Sequence, residues 1–101
     1  MKRNIVLCGM PSSGKSTVGY MLSERLGVDF IDTDSTIFES EGRGIPEIFA
    51  KEGEAVFRAI ESRVIESVAK RAGVVIALGG GAVLNPANVS VLKQNGTIFF
   101  L

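Results

Sequence analysis

The sequence predicts an α/β domain, a parallel sheet flanked by helices, and three observations predict it. Residues 4–8, 74–78 and 97–101 are short, nearly continuous apolar runs, as strands buried on both faces are. Between them apolar residues recur three and four apart, the period of a helix with one buried face. The first run leads directly into Gly9-Met10-Pro11-Ser12-Ser13-Gly14-Lys15-Ser16. That stretch fits Gly, four free residues, then Gly-Lys-Ser/Thr, a loop that joins a strand to a helix and cradles phosphate. At average residue usage, a chain of this length matches the pattern by chance about three times in a thousand.

Asn4-Ile5-Val6-Leu7-Cys8 reads as strand one. Val18, Met21, Leu22 and Leu26 then recur at helical spacing, and Gly27 fits the stop. Asp29-Phe30-Ile31-Asp32 is too short for a helix and reads as strand two. Thr33 to Glu41 reads as a short helix, with Gly42 and Gly44 marking a loop. Pro46 suits the first turn of a further helix, which Gly53 interrupts. From Glu54 onward Phe57, Ile60, Val64 and Val68, joined by Val56 and Ile65, draw the stripe of a longer helix ending near Gly73. Val74 to Leu78 is strand three, and Gly79-Gly80-Gly81 follows at once. Asn85-Pro86 caps and opens a helix carrying Val89 and Leu92, stopped near Gly96. Thr97 to Leu101 is strand four.

At 101 residues the chain is a single domain, 1–101. Lys+Arg and Asp+Glu each count 11, so no net charge draws it to nucleic acid or to an anionic membrane surface. No stretch approaches the length of a membrane span. The apolar run after Lys2-Arg3 is also too short for a secretory signal, so a cytoplasmic protein is expected. Cys8, the single cysteine, excludes an internal disulfide and reads as a small buried strand residue. The chain stops at the end of an apolar strand, so a longer parent domain is expected. The Ile98-Phe99-Phe100-Leu101 edge is then open to self-association.

In open α/β sheets ligands bind outside the carboxyl ends of the strands, and three of the four predicted strands end in distinctive chemistry. After strand one, Gly9 and Gly14 let the backbone turn tightly around an anion, towards which N–H groups and the next helix's positive end would point. Pro11, Ser12, Ser13 and Thr17 belong to the same nucleotide-binding set. Lys15 supplies a compact charge for β- and γ-phosphates, and Ser16 a hydroxyl placed for Mg²⁺.

After strand two, Asp32-Thr33-Asp34 offers two carboxylates one residue apart. One can lie towards a metal while the other orients an acceptor hydroxyl and takes its proton. The simpler alternatives are a helix N-cap for Asp34 and a solvated turn for Asp32. After strand three, Gly79, Gly80 and Gly81 either take positive φ or lie against a ligand; a tight turn alone would need one glycine. Arg58, beside Phe57, can present a planar fork to a carboxylate, or else form an ordinary ion pair with Glu61 or Glu54. Arg63, Lys70 and Arg71 read as solvated positions.

In this order and spacing, Gly9 to Thr17, Asp32-Thr33-Asp34, Phe57-Arg58-Ala59-Ile60-Glu61 and Gly79-Gly80-Gly81 resemble the motifs of shikimate kinase. That family is a small P-loop kinase of the nucleoside-monophosphate-kinase type. The resemblance implies a P-loop NTPase-type parallel sheet with four strands present of an expected five. An arginine-bearing lid, the fifth strand and a terminal helix would lie beyond Leu101. It also implies transfer of the γ-phosphoryl group of ATP to the 3-hydroxyl of shikimate, with Mg²⁺.

By the same resemblance Lys15 would bind phosphate, and Ser16 would ligate the metal with Asp32 nearby. Asp34 would hold the reacting hydroxyl and act as base. Arg58 would bind the shikimate carboxylate, with Glu61 holding the arginine. The Gly79, Gly80 and Gly81 turn would complete the pocket, with Pro11, Phe49 and Phe57 as apolar walls. The lid supplies charge and excludes water, so phosphate binding is expected to outlast turnover in a chain that ends at Leu101. Two other readings stand beside this one. The first is a kinase for another small molecule, such as gluconate or a nucleotide, against which Arg58 and the glycine triplet argue. The second is a non-catalytic nucleotide-binding fragment.

Overall fold

The computed structural model describes residues 3–9 and 12–101, and among these it contains the predicted strands in the predicted order. They are β1 (Asn4–Cys8), β2 (Phe30–Asp32), β3 (Val75–Ala77) and β4 (Gly96–Phe100). All pairings are parallel, and the sheet order is β2-β3-β1-β4. The helices are α1 (Ser12–Leu26), α2 (Thr33–Glu41), α3 (Ile45–Glu52), α4 (Glu54–Ala69) and α5 (Pro86–Asn95). A 3₁₀ turn at Ala82–Leu84, too short for a period to reveal, leads into α5. The α/β class with a parallel sheet therefore stands as the sequence predicts it.

The sheet is covered on both faces, which is why its strands lack polar alternation. Val6, Cys8, Ile76 and Leu78 form one core with Ile60, Val64, Ile65 and Val68 of α4, Leu92 of α5, and Ile37 and Ile48 of α2 and α3. Alternate strand residues turn to the other face, and Leu7, Val75 and Ala77 are buried there as well. α1 packs against the sheet. Cys8 is buried, and desolvation lifts its thiol pKa, in keeping with a strand residue and not a nucleophile. β4 is an edge strand, and Phe100 at its end is 73 % exposed.

Two helix faces differ from the apolar pattern. In α1, Val18, Met21 and Leu26 are exposed, and the buried positions are Lys15, Gly19 and Ser23. The cause is close approach: the Phe30 ring lies where a Cβ on Gly19 would sit, and Tyr20 packs edge-on against that ring at 6.5 Å. In α4, Val56 is exposed and the buried stripe includes Glu61 in addition to the predicted apolar residues. α4 also ends at Ala69, short of Gly73. There the Asn95 amide donates to the Ala69 carbonyl, while Asn4 donates to the Arg71 carbonyl and accepts from the Val74 N–H. Side chains thus satisfy backbone groups that further helix would otherwise have used.

The Gly19 contact makes a stability prediction. Alanine would add helix propensity, worth up to about 1 kcal/mol in an exposed helix. Here the added methyl must displace the Phe30 ring, and overpacking of this kind costs about 1–3 kcal/mol. Gly19→Ala should therefore lower the midpoint of urea unfolding without changing the slope. An unchanged or raised midpoint would contradict the packing described.

Candidate functional site

β1 and β3 are adjacent, but the chain leaves them in opposite directions. From β1 it crosses over β3 to reach β2; from β3 it crosses over β1 to reach β4. The carboxyl ends of β1 and β3 therefore flank the switch point where open α/β sheets bind ligands. The phosphate-loop sequence follows β1, and the glycine triplet follows β3. Lys15, on the first turns of α1, is 2 % exposed and near enough to Asp34 to influence its titration.

At the end of β2 the two carboxylates take different positions. Asp32, not Asp34, is the N-cap of α2: its Oδ1 accepts the Asp34 N–H at 2.9 Å and the Ser35 N–H at 3.3 Å. Its Oδ2 accepts the Ser16 hydroxyl at 2.5 Å. One side chain thus ties the start of α1 to the start of α2. The readings of Asp34 as a cap and of Asp32 as a solvated turn are both corrected by this geometry.

Asp34, one residue into α2, reaches instead across to the end of β3. Burial lifts its carboxyl above the ordinary carboxylate value. The Asp32 and Glu61 carboxylates push the same way, against the pull of Lys15 and Arg58.

The glycine triplet does not take the positive φ that usually demands glycine. Among the described residues, positive φ occurs at Gly9, Gly27, Gly42, Gly53 and Gly73, and not at Gly79, Gly80 or Gly81. The reason is crowding. A Cβ on Gly79 would lie 2.6 Å from Asp34 Oδ1, and one on Gly81 would lie 2.5 Å from Arg58 Nη2. A Cβ on Gly80, between them, would meet nothing within 4 Å. The outer two glycines thus seat a carboxylate and a guanidinium, and the middle one faces open space.

Arg58 donates to Glu61 Oε1 at 2.9 Å, and its Nε lies 3.6 Å from Glu54. Glu61 is only 2 % exposed, so this is no ordinary surface pair. Arg58 also lies 5.1 Å from the centre of the Phe57 ring, which stacks at 4.8 Å on Phe49.

Together these groups line an open cleft of about 180 Å³. Its polar lining is Asp34, Arg58, Glu61 and the Gly79–Gly81 backbone, and its apolar wall is Ile45, Phe49 and Phe57. A larger hollow of about 420 Å³ lies where Arg58 and Glu61 meet Glu54, Ser62 and Asn85, but Asp34 does not line it. Chemistry and not volume singles out the smaller one.

The structure therefore brings together Lys15, Ser16, Asp32, Asp34, Phe49, Phe57, Arg58, Glu61 and the glycine triplet at one end of the sheet. Gly9 follows β1 at φ 102°, and a Cβ there would lie 2.8 Å from the Leu101 carbonyl. Gly14 and Thr17 lie in the opening turns of α1. Pro11, expected to bind nucleotide and wall the pocket, lies outside the described residues, as do the side chains of Ser12 and Ser13.

Two residues escaped the sequence reading. Ile45 walls the cavity from the first turn of α3, and its only signal was its place between Gly44 and Pro46. Thr33 is fully buried and accepts the Gly79 N–H at 3.1 Å. Its position between two aspartates was the only hint.

Comparison with known proteins agrees with the geometry. A family model described as shikimate kinase matches residues 11–101. A shikimate kinase of Caldicellulosiruptor bescii is 50 % identical over 99 residues, 98 % of this chain and 58 % of the relative. One of Nitrosomonas europaea is 48 % identical over 98 residues, 97 % of this chain and 46 % of the relative. Among solved structures, a shikimate kinase from Acinetobacter baumannii in complex with shikimate superposes with a TM-score of 0.95 at 42 % identity, covering 100 % of this chain and 56 % of that one. The Aquifex aeolicus shikimate kinase gives 0.89 at 41 % identity, covering 97 % and 58 %. The chain thus spans between about half and three-fifths of the length of these relatives.

The raised Asp34 pKa has a consequence for stability. A carboxyl that holds its proton more tightly when folded favours the folded state fully below its unfolded pKa. That contribution is lost as pH rises through the folded value. At neutral pH the ionised Asp34 is therefore a net cost, and Asp34→Asn should raise the melting temperature at pH 7. The gain should shrink as pH falls through the carboxylate range, because Asp34 is then neutral in both states. A variant less stable than the parent at pH 7, or a gain independent of pH, would contradict this balance of charges.

Proposed function

Because the chain belongs to the shikimate kinase family, we propose that it carries the phosphate-binding and acceptor-binding sides of a site that transfers the γ-phosphoryl group of ATP to the 3-hydroxyl of shikimate. The observation that carries this reading is the pairing of Asp34 and Arg58 on one glycine turn. A carboxylate that can take a hydroxyl proton and a fork that can hold a carboxylate lie on either side of an open Gly80. That suits a compact molecule bearing both groups, and the solved relative holding shikimate supports the choice.

In this reading Arg58 fixes the substrate carboxylate, and Glu61 holds the fork in its plane. Phe49, Phe57 and Ile45 cover the apolar ring edge. Asp34 accepts the proton of the 3-hydroxyl as that oxygen bonds to the γ-phosphorus. The bond from γ-phosphorus to the bridging oxygen breaks, and its electron pair leaves on ADP. Lys15, with the amides of the loop that begins at Gly9, binds the phosphate oxygens.

The residues fit Mg²⁺. Ser16 and Asp32 bring a hydroxyl and a carboxylate oxygen to one point, the hard oxygen donors this ion prefers, few in number as is usual for it. When bound there, the ion would neutralise phosphate charge. The reaction is placed in the cytoplasm as part of this proposal; no helix among the described residues is long and apolar enough to cross a membrane.

Assayed on the intact gene product, ADP release should depend on shikimate; its absence would remove the assignment. Lys15→Ala should abolish ATP binding. Arg58→Lys keeps a cation beside Glu61 but loses the fork. It should raise the shikimate KM about tenfold or more and leave the ATP KM within about twofold. Equal losses for the two ligands would contradict the separate roles.

A further inference from the structure

The ladder between β2 and β3 ends at Asp32 and Ala77, and the last sheet bond of β3 runs from the Leu78 N–H to the Leu7 carbonyl on β1. The next amide, Gly79, therefore points beyond the ladder on the β2 side. It is buried, and a buried donor left unmade is costly. Thr33 meets it: its side chain is fully buried, and its Oγ1 accepts the Gly79 N–H at 3.1 Å across 46 residues of sequence.

Thr33 does not line the cavity, so it touches no ligand there. Its neighbours in the chain are the N-cap Asp32 and the cleft carboxylate Asp34, and the Asp34 carboxylate occupies the space that a Cβ on Gly79 would need.

We propose that Thr33 is a positioning residue, whose hydroxyl adds a side-chain rung to the end of the β2–β3 ladder and so sets the spacing between the Asp34 carboxylate and the Gly79–Gly81 turn. This deepens the reading given above and rests on it for its kinetic consequence. The rung acts on both halves of the acceptor site. On the β2 side it holds the first turn of α2, from which Asp34 projects. On the β3 side it holds the turn that seats Asp34 at Gly79 and Arg58 at Gly81. A loosened turn misplaces the acceptor hydroxyl relative to the base, and misplacements of about 1 Å can cost up to about a hundredfold in rate. The phosphate side, held by Ser16 and Asp32, keeps its own bond.

Two substitutions separate the hydroxyl from the shape of the side chain. Thr33→Val keeps the volume and loses the acceptor; Thr33→Ser keeps the acceptor and loses a methyl. In the intact gene product, well below the melting temperature of each variant, Thr33→Val should lower kcat about tenfold or more while the ATP KM stays within about twofold. Thr33→Ser should stay within about threefold of the parent in kcat. Amide hydrogen exchange at Gly79 should quicken about tenfold or more in the valine variant only.

A residue that merely fills space would give the reverse order, with valine like the parent and serine impaired, and that order overturns the proposal. Unchanged Gly79 exchange in Thr33→Val overturns it too. If the valine variant fails to fold, serine decides alone: parent-like exchange and kcat uphold the rung, and impairment of both removes it. If the parent itself shows no shikimate-dependent turnover, the proposed function fails while Gly79 exchange still decides the role of Thr33.

Discussion

Two charged side chains occupy the space that a Cβ would need just beyond β3. The Asp34 carboxylate lies against Gly79 and the Arg58 guanidinium against Gly81, both well inside the distance at which a methyl could be accommodated. The backbone there has ordinary φ, so glycine is present to be absent as a side chain and not to bend the chain. Asp34 is anchored within the first turn of α2, and Arg58 is held on α4 by Glu61. Contact between side chains from two helices and one bare strand end thus contributes to the spacing of the site.

That spacing gathers charge of both signs in a half-buried place. Burial first, and then the nearby Asp32 and Glu61 carboxylates, make Asp34 reluctant to ionise, and Lys15 and Arg58 only partly offset them. Glu61 is the deepest of the three, and its bond to Arg58 matters chiefly because losing that partner would strand a buried charge. The more exposed contacts of Arg58 with Glu54 and of Arg71 with Asp29 contribute much less to stability. A fold built for stability alone would not bring these carboxylates together. Perturbed titration in a cleft is common where a site is shaped for chemistry, and the fold offsets its cost through the apolar layer between α4 and the sheet.

Much of this was legible in the sequence, because the signals were local. The phosphate-loop spacing, the apolar runs, the glycine stops and the Asn85-Pro86 cap each act within a few residues, and the order of strands and helices followed from them. What sequence could not show was which partner a residue would meet. The inward face of α1 carries Lys15, Gly19 and Ser23, because the Phe30 ring and the site, not an apolar stripe, decide what faces in. Which of Asp32 and Asp34 would cap α2 stayed open in the sequence, since either is chemically able to; the structure gives the cap to Asp32 and leaves Asp34 to reach across to Gly79. Glycine triplets point to close approach, but only folding reveals that what approaches is a carboxylate and a guanidinium. Thr33 gave no signal beyond its place between two aspartates, because its partner lies 46 residues away.

Asp32 shows how the two halves of such a site can be joined without disturbing each other. Its Oδ1 is committed to the first amides of α2, which fixes the helix that carries Asp34. Its Oδ2 is committed to Ser16 on α1, on the phosphate side. Because the two oxygens serve different elements, in the proposed reaction Oδ2 would exchange its Ser16 hydrogen bond for a cation while Oδ1 keeps the cap. In the proposed reaction, the phosphate side can then load and empty while the base stays where the acceptor needs it. A carboxylate is suited to this place because it offers two acceptors with several lone pairs between them. An asparagine could cap α2 or accept from Ser16 with its one oxygen, but its amide nitrogen would face either a cation or an N–H donor. The demand for two acceptors on one short side chain is what places an acid at the end of β2.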